Sequence, residues 1–435
     1  MSDFPPVFAG CRFAVVGLGR NGLPVARALS AMGAEVMAWD DEAAARAHVD
    51  GFELRPPRAS DRLDALVLSP GIPHRLPRPH PLATLAIEQG WPILSDAELL
   101  FRAVRAAGSA ARFVGVTGTN GKSTTTALLA HILEGAGVPV AAGGNLGTAA
   151  LALPLLGDDG VYVLEMSSYM LERLASLRFD VAAMLNLSPD HLDRHGDMAG
   201  YVAAKRAVFD RQTAADLAVV GIDDAPSVLT AVWLRTRPAR VATISGAGAL
   251  NASPALPGAH NAQNAAAATV MALALGATQD DVARGIASFP GLPHRQRVVG
   301  HVEGIAFIDD SKATNADAAA RALGCYERIV WIAGGQAKAG GIASLAPFFP
   351  RVARALLIGR DAPVLAATLA AHGVAHEIAG TLDSAVPAAL AAARASGAVV
   401  LLSPACASFD QFSGFEARGR RFAALVDGLA RERAA

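Results

Sequence analysis

Short apolar runs recur along the chain, most of them closed by Gly, Ser, Asp or Asn, and they alternate with longer stretches of helical period. Runs of this kind suit strands buried on both faces, and their alternation with helices predicts open parallel sheets. Arg12–Val16, Glu35–Trp39 and Ala65–Leu68 are the first predicted strands, with a helix from Gly22 to about Met32. Phe113–Val116, Val161–Leu164 and Val181–Leu185 follow, and later Arg328–Ala333, Ala355–Ile358 and Val399–Leu402. Val298–Gly300 with Ile305–Ile308 reads as a hairpin. Lys122–Glu134, Tyr201–Phe209 and Ala265–Leu275 read as helices; the first pairs Leu128 with Ile132 and Leu129 with Leu133. The Pro-rich run Pro70–Pro81 is read as a loop, and the first domain break is placed around Asp96–Arg112.

The strand Phe113–Val116 is followed by Gly118-Thr119-Asn120-Gly121-Lys122-Ser123-Thr124, which opens a helix. Strand, Gly turn and helix form a phosphate cradle, because unsatisfied backbone N–H groups at a helix start attract anions. Lys122 would reach the terminal phosphates and Ser123 would hold Mg²⁺. Val116 stands where the usual pattern has its first Gly, so the match is to a shortened variant. An ordinary Gly turn is the weaker alternative, and a nucleoside triphosphate is the expected ligand.

Other strand ends carry candidates of lower specificity. Gly17-Leu18-Gly19-Arg20-Asn21-Gly22 follows the first strand, and Asp40 and Asp41 end the second. That fits the dinucleotide fingerprint, so NAD is the obvious ligand, but a UDP group would satisfy the same cradle. Ser69 beside Pro70-Gly71-Ile72-Pro73 would border the same ligand or be a plain loop. Glu165 ends a buried strand and is a Mg²⁺ ligand or a surface carboxylate; His191, in Ser188-Pro189-Asp190-His191, suits a metal or a phosphate. Lys205 on its own is a solvated helix charge, and Asn261 and Asn264 share a helix face that could read an adenine edge. In the last third, the Asp309–Asn315, Gly334–Lys338 and Ser403–Phe412 loops each follow a strand end. Their lysines and hydroxyls, with a nearby arginine, suit a dicarboxylate and a nucleotide.

Composition narrows the classes. The chain has 435 residues and is 52% apolar, enough for several sizeable cores. A net charge of −1 makes nucleic acid an unexpected partner. Cys11, Cys325 and Cys406 form no metal-ligand spacing and suit a reducing compartment. The start MSDFPPVFAG lacks a signal-peptide pattern, and no apolar stretch is long enough for a membrane span, so a cytoplasmic protein is expected.

Taken together, GTNGKST, GGNLG, SPDHLDRH with YVAAK, HNAQN, LPHR, DDSKATN and SPACASFDQF resemble the Mur ligases over essentially the whole chain. The last stretches are most like the member that adds D-glutamate to UDP-N-acetylmuramoyl-L-alanine. The resemblance implies an α/β protein of three domains. These are a Rossmann-like N-terminal domain (1–98) for the UDP substrate, a P-loop parallel-sheet central domain (99–291) for ATP, and a Rossmann-like C-terminal domain (292–435) for the amino acid. It favours UDP over NAD at the Gly-rich turn. By position, Leu18, Gly19, Asp40, Asp41 and Ser69 would line the uridine site, with Asn145 at the diphosphate and Ser167 among the substrate contacts. Asn264, Arg295 and Asp310 would join residues 118–124 in binding ATP. Lys312, Thr314, Lys338, Ser408 and Phe415 would contact glutamate. Ser123 and Glu165 would hold one Mg²⁺, and His191 and a carbamylated Lys205 would lie by a second, with Lys122, His191 and Lys205 as the catalytic set. A monomer is expected.

Some positions depart from the family pattern. Met170 stands in place of a Gln, Gln336 in place of an acid, and Asp41 and Glu42 in place of a hydroxyl and a cation. The rival readings are a sister ligase adding another amino acid or L-glutamate, an NAD-dependent oxidoreductase with a regulatory nucleotide domain, and a nucleotide sensor.

Overall fold

The predicted apolar runs are strands, and they assemble into three sheets. The structure is a computed structural model and describes residues 4–434 apart from 48, 146, 248–252, 254 and 339. Leu146 of the GGNLG stretch therefore lies outside the described residues. The first sheet contains β1 (Arg12–Val16), β2 (Glu35–Trp39), β3 (Glu53–Leu54), β4 (Ala65–Leu68) and β5 (Ile93–Leu94), in the order β3-β2-β1-β4-β5. The second contains β6 (Arg112–Thr117), β7 (Val140–Gly144), β8 (Val161–Glu165), β9 (Val181–Met184), β10 (Leu217–Gly221) and β11 (Arg240–Ile244), in the order β11-β10-β9-β6-β8-β7. Every pairing in these two sheets is parallel. The third contains β12 (Arg297–Val302), β13 (Ile305–Asp309), β14 (Ile329–Gly334), β15 (Val352–Ile358), β16 (His376–Gly380) and β17 (Val399–Leu402), in the order β12-β13-β17-β14-β15-β16. The expected hairpin β12–β13 is antiparallel, with a bulge between Val298 and Gly300, and the other strand pairings of this sheet are parallel.

Period-two alternation builds a core on each face of the sheets. Phe13 and Val15 of β1 enter one cluster, Ala14 and Val16 the other. In the third sheet Trp331 faces one core, and Val330 and Ile332 the opposite one.

The chain forms two compact units: one running to Ala249 with Asn261–Ser288, and one of Phe289–Ala435 with the short segment ending at His260. The first two sheets share a unit because one hydrophobic cluster runs from β1 through Leu99 and Leu100 to Phe113 and Tyr162. The division placed at 98/99 falls inside the helix Asp96–Ala106.

Several elements differ from the sequence reading. The helix carrying Lys205 spans Met198–Arg206, because Asp197 caps it by accepting from the Gly200 N–H at 2.8 Å. The HNAQN stretch lies inside the helix Ala259–Ala274. β7 carries Gly143 and Gly144, a composition that reads as loop. Among the described residues, no helix is long and apolar enough to cross a membrane.

Glu98 fastens the helix Asp96–Ala106 to the second sheet. Its fully buried carboxylate accepts from the N–H groups of Ala175, Ser176 and Leu177 at 2.9–3.0 Å and from Ser176 Oγ at 2.6 Å. Burial alone would raise its pKa, but these donors hold it down at about 2. A depressed carboxylate stabilises the fold above its unfolded pKa and loses that contribution as pH falls through the folded value. Glu98→Gln is expected to cost about 3 kcal/mol at neutral pH, because an amide presents donors to donors. Urea denaturation should show the deficit at pH 7 and its disappearance as pH falls from about 5 towards 2; a deficit that persists unchanged across that range would refute the role.

Candidate active site

Strands β8, β6 and β9 are adjacent and parallel, so their carboxyl ends bring three segments together. The Gly118–Ser123 loop leaves β6, Glu165 ends β8, and Asn186–His191 follows β9. Gly121 has φ +87°, and a Cβ there would collide with Asn264 Oδ1. The loop is held by a side chain that the sequence reading did not single out. Asn186 Oδ1 accepts from the Asn120 N–H at 2.9 Å, and Asn186 Nδ2 donates to Asn120 O at 3.1 Å. Gln263 Oε1 takes the same Nδ2 at 3.3 Å, and Gln263 Nε2 donates to Asp223 at 2.8 Å. Thr119 accepts from Ser188 N–H at 3.0 Å and lies 3.1 Å from the Tyr201 hydroxyl. Lys122 Nζ donates to Gly118 O and Thr119 O at 2.8 and 2.9 Å, across the mouth of its own loop. Ser123 is buried, while Thr124 is half-buried on the same first turn. Asn264 donates to Asn261 Oδ1 at 3.0 Å, so the two asparagines share a face as expected.

Glu165 is buried. Asn145 Nδ2 donates to its Oε1 at 2.8 Å, but Oε2 has no partner. Such an orphan is rare and needs a counterpart. Among the described residues, no three His, Cys, Asp or Glu side chains converge as a self-sufficient metal site. One carboxylate with an open oxygen, on the strand next to the one that leads into Ser123, fits Mg²⁺, which keeps waters and takes phosphate oxygens as further ligands.

Lys205 is 2% exposed, far from the solvated charge its helix position suggests. Its Nζ donates to Gly118 O at 2.9 Å and reaches Thr117 Oγ1 at 3.4 Å. Burial, with the Lys122 charge adding, pushes its pKa well below the ordinary lysine value. His191 is exposed at the surface, at φ +53°, with Asp190 3.4 Å away. Partial desolvation lowers its pKa; Asp190 opposes, and Lys205 and Lys122 add.

The first sheet carries a separate cleft of about 570 Å³, lined by Gly17, Gly19, Asp40, Asp41, Ser69, Ile72, His80 and Asn145. Its position at the carboxyl ends of β1, β2 and β4 is that of a ligand site in an open sheet. Gly22 must be Gly, since a Cβ would strike Gly17 O. Leu18 has its side chain in the core, and its N–H donates to Asp40 Oδ2 at 2.6 Å beside the cleft. Asp41 accepts from Trp39 Nε1 and lies 2.9 Å from His80 Nε2. The His80 hydrogen bond, then Trp39, lowers its pKa. Ser69 Oγ donates to Gly17 O at 2.8 Å, and Ser167 Oγ caps a short helix by accepting from Met170 N–H at 3.3 Å. Met170 itself is 2% exposed and packs in the core, so the departure from Gln is accommodated as packing.

In the second unit, the ends of β13, β17 and β14 carry the expected loops. Asp310 is buried, accepts from Ser403 Oγ at 2.7 Å, and has its pKa pushed up to about 7 by burial, with Ser403 and Arg295 opposing. Lys312 Nζ lies 3.8 Å from the Phe415 ring centroid, which brings two of the expected amino-acid residues together. Thr314 N–H donates to Lys312 O at 2.8 Å. Ser408 is buried, whereas Lys338 is exposed. Gln336 pairs its backbone with Ala407 at 2.8 and 2.9 Å, so this departure sits on a backbone bridge between two of the loops. Arg418, which the sequence reading left out, is 1% exposed and ties Ser311 O to Cys406 O at 2.9 and 3.1 Å.

Residues 116–252 match the Mur ligase middle domain family, and 294–406 match the Mur ligase, glutamate ligase domain family. A UDP-N-acetylmuramoylalanine–D-glutamate ligase of Paramagnetospirillum magneticum is 51% identical, covering 98% of each chain. One of Rhodospirillum rubrum is 47% identical over 98% of this chain and 97% of its own. The fold is similar to that of the UDP-N-acetylmuramate-alanine ligase of Thermotoga maritima, at TM-score 0.60 and 19% identity, covering 96% of this chain and 99% of the other.

Gly121→Ala should abolish nucleotide binding, since a Cβ there strikes Asn264 Oδ1, presses on Leu185 and strains the left-handed backbone of the loop, with a thermal melt to check that the fold survives. Titration with a fluorescent ATP analogue checks this; retained affinity would displace the loop from its role.

Proposed function

As a member of the Mur ligase family, we propose, this chain joins D-glutamate to UDP-N-acetylmuramoyl-L-alanine at the expense of ATP, through an acyl phosphate. The observation that carries the reading is Asn145. Its side chain lines the cleft of the first sheet and donates to Glu165 beside the phosphate loop. One residue thus joins a nucleotide-sugar site to a triphosphate site, as activation of an acid on that sugar requires. The identity to D-glutamate ligases supports the choice of amino acid.

Residues 1–98 hold the UDP substrate, 99–291 ATP and 292–435 glutamate. The substrate carboxylate attacks the γ-phosphorus; the new C–O–P linkage forms as the bond to ADP breaks. The glutamate amine then attacks the acyl carbon, phosphate leaves, and the amine loses a proton. The phosphoryl step needs alignment and charge neutralisation more than covalent help. Lys122 supplies one fixed positive charge, and the Asn186 clamp holds the loop N–H groups in place. Ser123 and Glu165 would hold one Mg²⁺, and His191 and Lys205 would lie by a second. When bound, the metal neutralises and aligns the phosphates. Asn264, Arg295 and Asp310 contact ATP, and Lys312, Thr314, Lys338, Ser408 and Phe415 contact glutamate.

Lys205 is carbamylated in this reading. Its neutral amine nitrogen forms a bond to the carbon of CO₂ and releases a proton, giving an anion. Its burial favours the required neutral amine, and its bonds to Gly118 O and Thr117 Oγ1 hold it beside the loop.

Phosphate release should require ATP, UDP-N-acetylmuramoyl-L-alanine and D-glutamate together, and L-glutamate should not substitute. Release driven equally by another amino acid would move the chain to a sister activity; absorbance of a bound nicotinamide cofactor would favour the oxidoreductase. Lys205→Ala should lose most activity and regain part of it with a small added carboxylic acid. Absence of rescue, with no carbamate mass on the native protein, would remove the modification.

A further inference from the structure

Arg194 has no role in the reaction just described, yet its contacts connect two parts of the first unit. It lies on the single helical turn Leu192–His195 that His191 opens. Its Nη1 donates to Gly71 O at 2.9 Å, and its Nη2 reaches Ile72 O at 3.4 Å. The guanidinium sits 4.3 Å from the Tyr169 ring centroid, and the same ring is 5.1 Å from that of His191. Gly71 and Ile72 line the cleft of the first sheet.

We propose that Arg194 is a positioning residue that couples occupancy of this cleft to the placement of His191. A one-turn helix cannot hold its own position, because nucleation fixes several residues for a single hydrogen bond. His191 adds a left-handed backbone, which costs roughly 1 kcal/mol or more for a residue other than Gly. The segment therefore depends on outside restraint: buried His195 anchors its end to Ser168 at 2.9 Å, and Arg194 ties it to the cleft loop across more than a hundred residues of chain. Arg173 makes the loop a firm partner: it is 3% exposed and donates to Leu68 O at 2.8 Å and Ile72 O at 2.6 Å. Ile72 O thus receives both arginines. Arg173 is sealed into the fold, whereas Arg194 is half-buried and free to tighten when a ligand settles the Pro70–Ile72 loop. The fork geometry of arginine gives each of two neighbouring carbonyls its own N–H while the guanidinium plane stays against Tyr169, a geometry an ammonium does not reproduce.

The inference rests on the cleft being the UDP-substrate site. In full-length protein, calorimetry with a non-hydrolysable Mg·ATP analogue is run with and without UDP-N-acetylmuramoyl-L-alanine. The wild type should bind the analogue roughly 10-fold more tightly when the UDP substrate is present. Arg194→Met, which keeps the stem over Tyr169, should still bind each ligand alone but bring that factor close to unity; Arg194→Lys should fall between. In turnover, kcat should drop more than KM for ATP rises. Thermal melts check the fold. Tyr169→Leu, which removes the stack and leaves the arginine, should weaken the coupling in the same direction. A wild type that does not bind the UDP substrate overturns the functional reading itself. A wild type that binds it without coupling, or an Arg194→Met variant with the full coupling, overturns only the role of Arg194.

Discussion

A carboxylate oxygen buried without a partner sets the terms for the whole of the first unit. Glu165 Oε2 is that atom, at the end of a strand buried along its length. Leaving such a group unsatisfied costs about 1–3 kcal/mol, and more when it is charged. Nothing in the surrounding core can relieve it, since β8 is flanked by β6 and β7. Its partner has to come from the open side, where the phosphate loop begins. The site is therefore built incomplete, and a dication with its phosphates is the kind of ligand that completes it.

Everything around that atom serves to hold a few backbone groups still. The phosphate loop has little internal bonding of its own, so Asn186 brackets Asn120 from both sides, and Gln263 and Asp223 fix Asn186 in turn. Asn145 fixes the other carboxylate oxygen and reaches into the neighbouring cleft. Behind them, Glu98 pins the Ala175–Leu177 segment that follows Arg173, and Arg173 pins the cleft loop. Each tie joins segments far apart in sequence, so the accuracy of the site depends on the parallel sheets being packed first.

The strands were legible because runs such as Phe13–Val16 and Val399–Leu402 are apolar throughout and closed by turn residues. The phosphate loop was legible because its residues are contiguous. Glu165 could be singled out because a strand end is a local feature. The two-residue strands β3 and β5 could not be found, as they exist only by pairing with β2 and β4. The Asn186 clamp, His80 on Asp41 and Arg418 under the Ser311 turn are also invisible locally, since each acts across tens of residues. The direction of the Leu18 side chain was not legible, for the complementary reason. Proximity to a Gly-rich turn says nothing about which way a side chain faces, and here it enters the core just past the end of β1. Lys205 looks like a solvated charge from its helix alone; only packing against the phosphate loop reveals it as buried.

The charge balance of the site follows from that burial. Lys122 and Lys205 both rest on backbone carbonyls of the same loop, and Gly118 O accepts from each. Two ammonium groups on one carbonyl repel, and a dication at Glu165 would add to the repulsion. Lys122 is half-buried and can turn outward to meet a phosphate, but Lys205 is enclosed and has no such outlet. Desolvation already pushes Lys205 towards its neutral form. A neutral amine removes the repulsion, and its conversion to an anion would reverse the sign. A position that disfavours a lysine cation is thus one where the proposed modified lysine would suit a metal site.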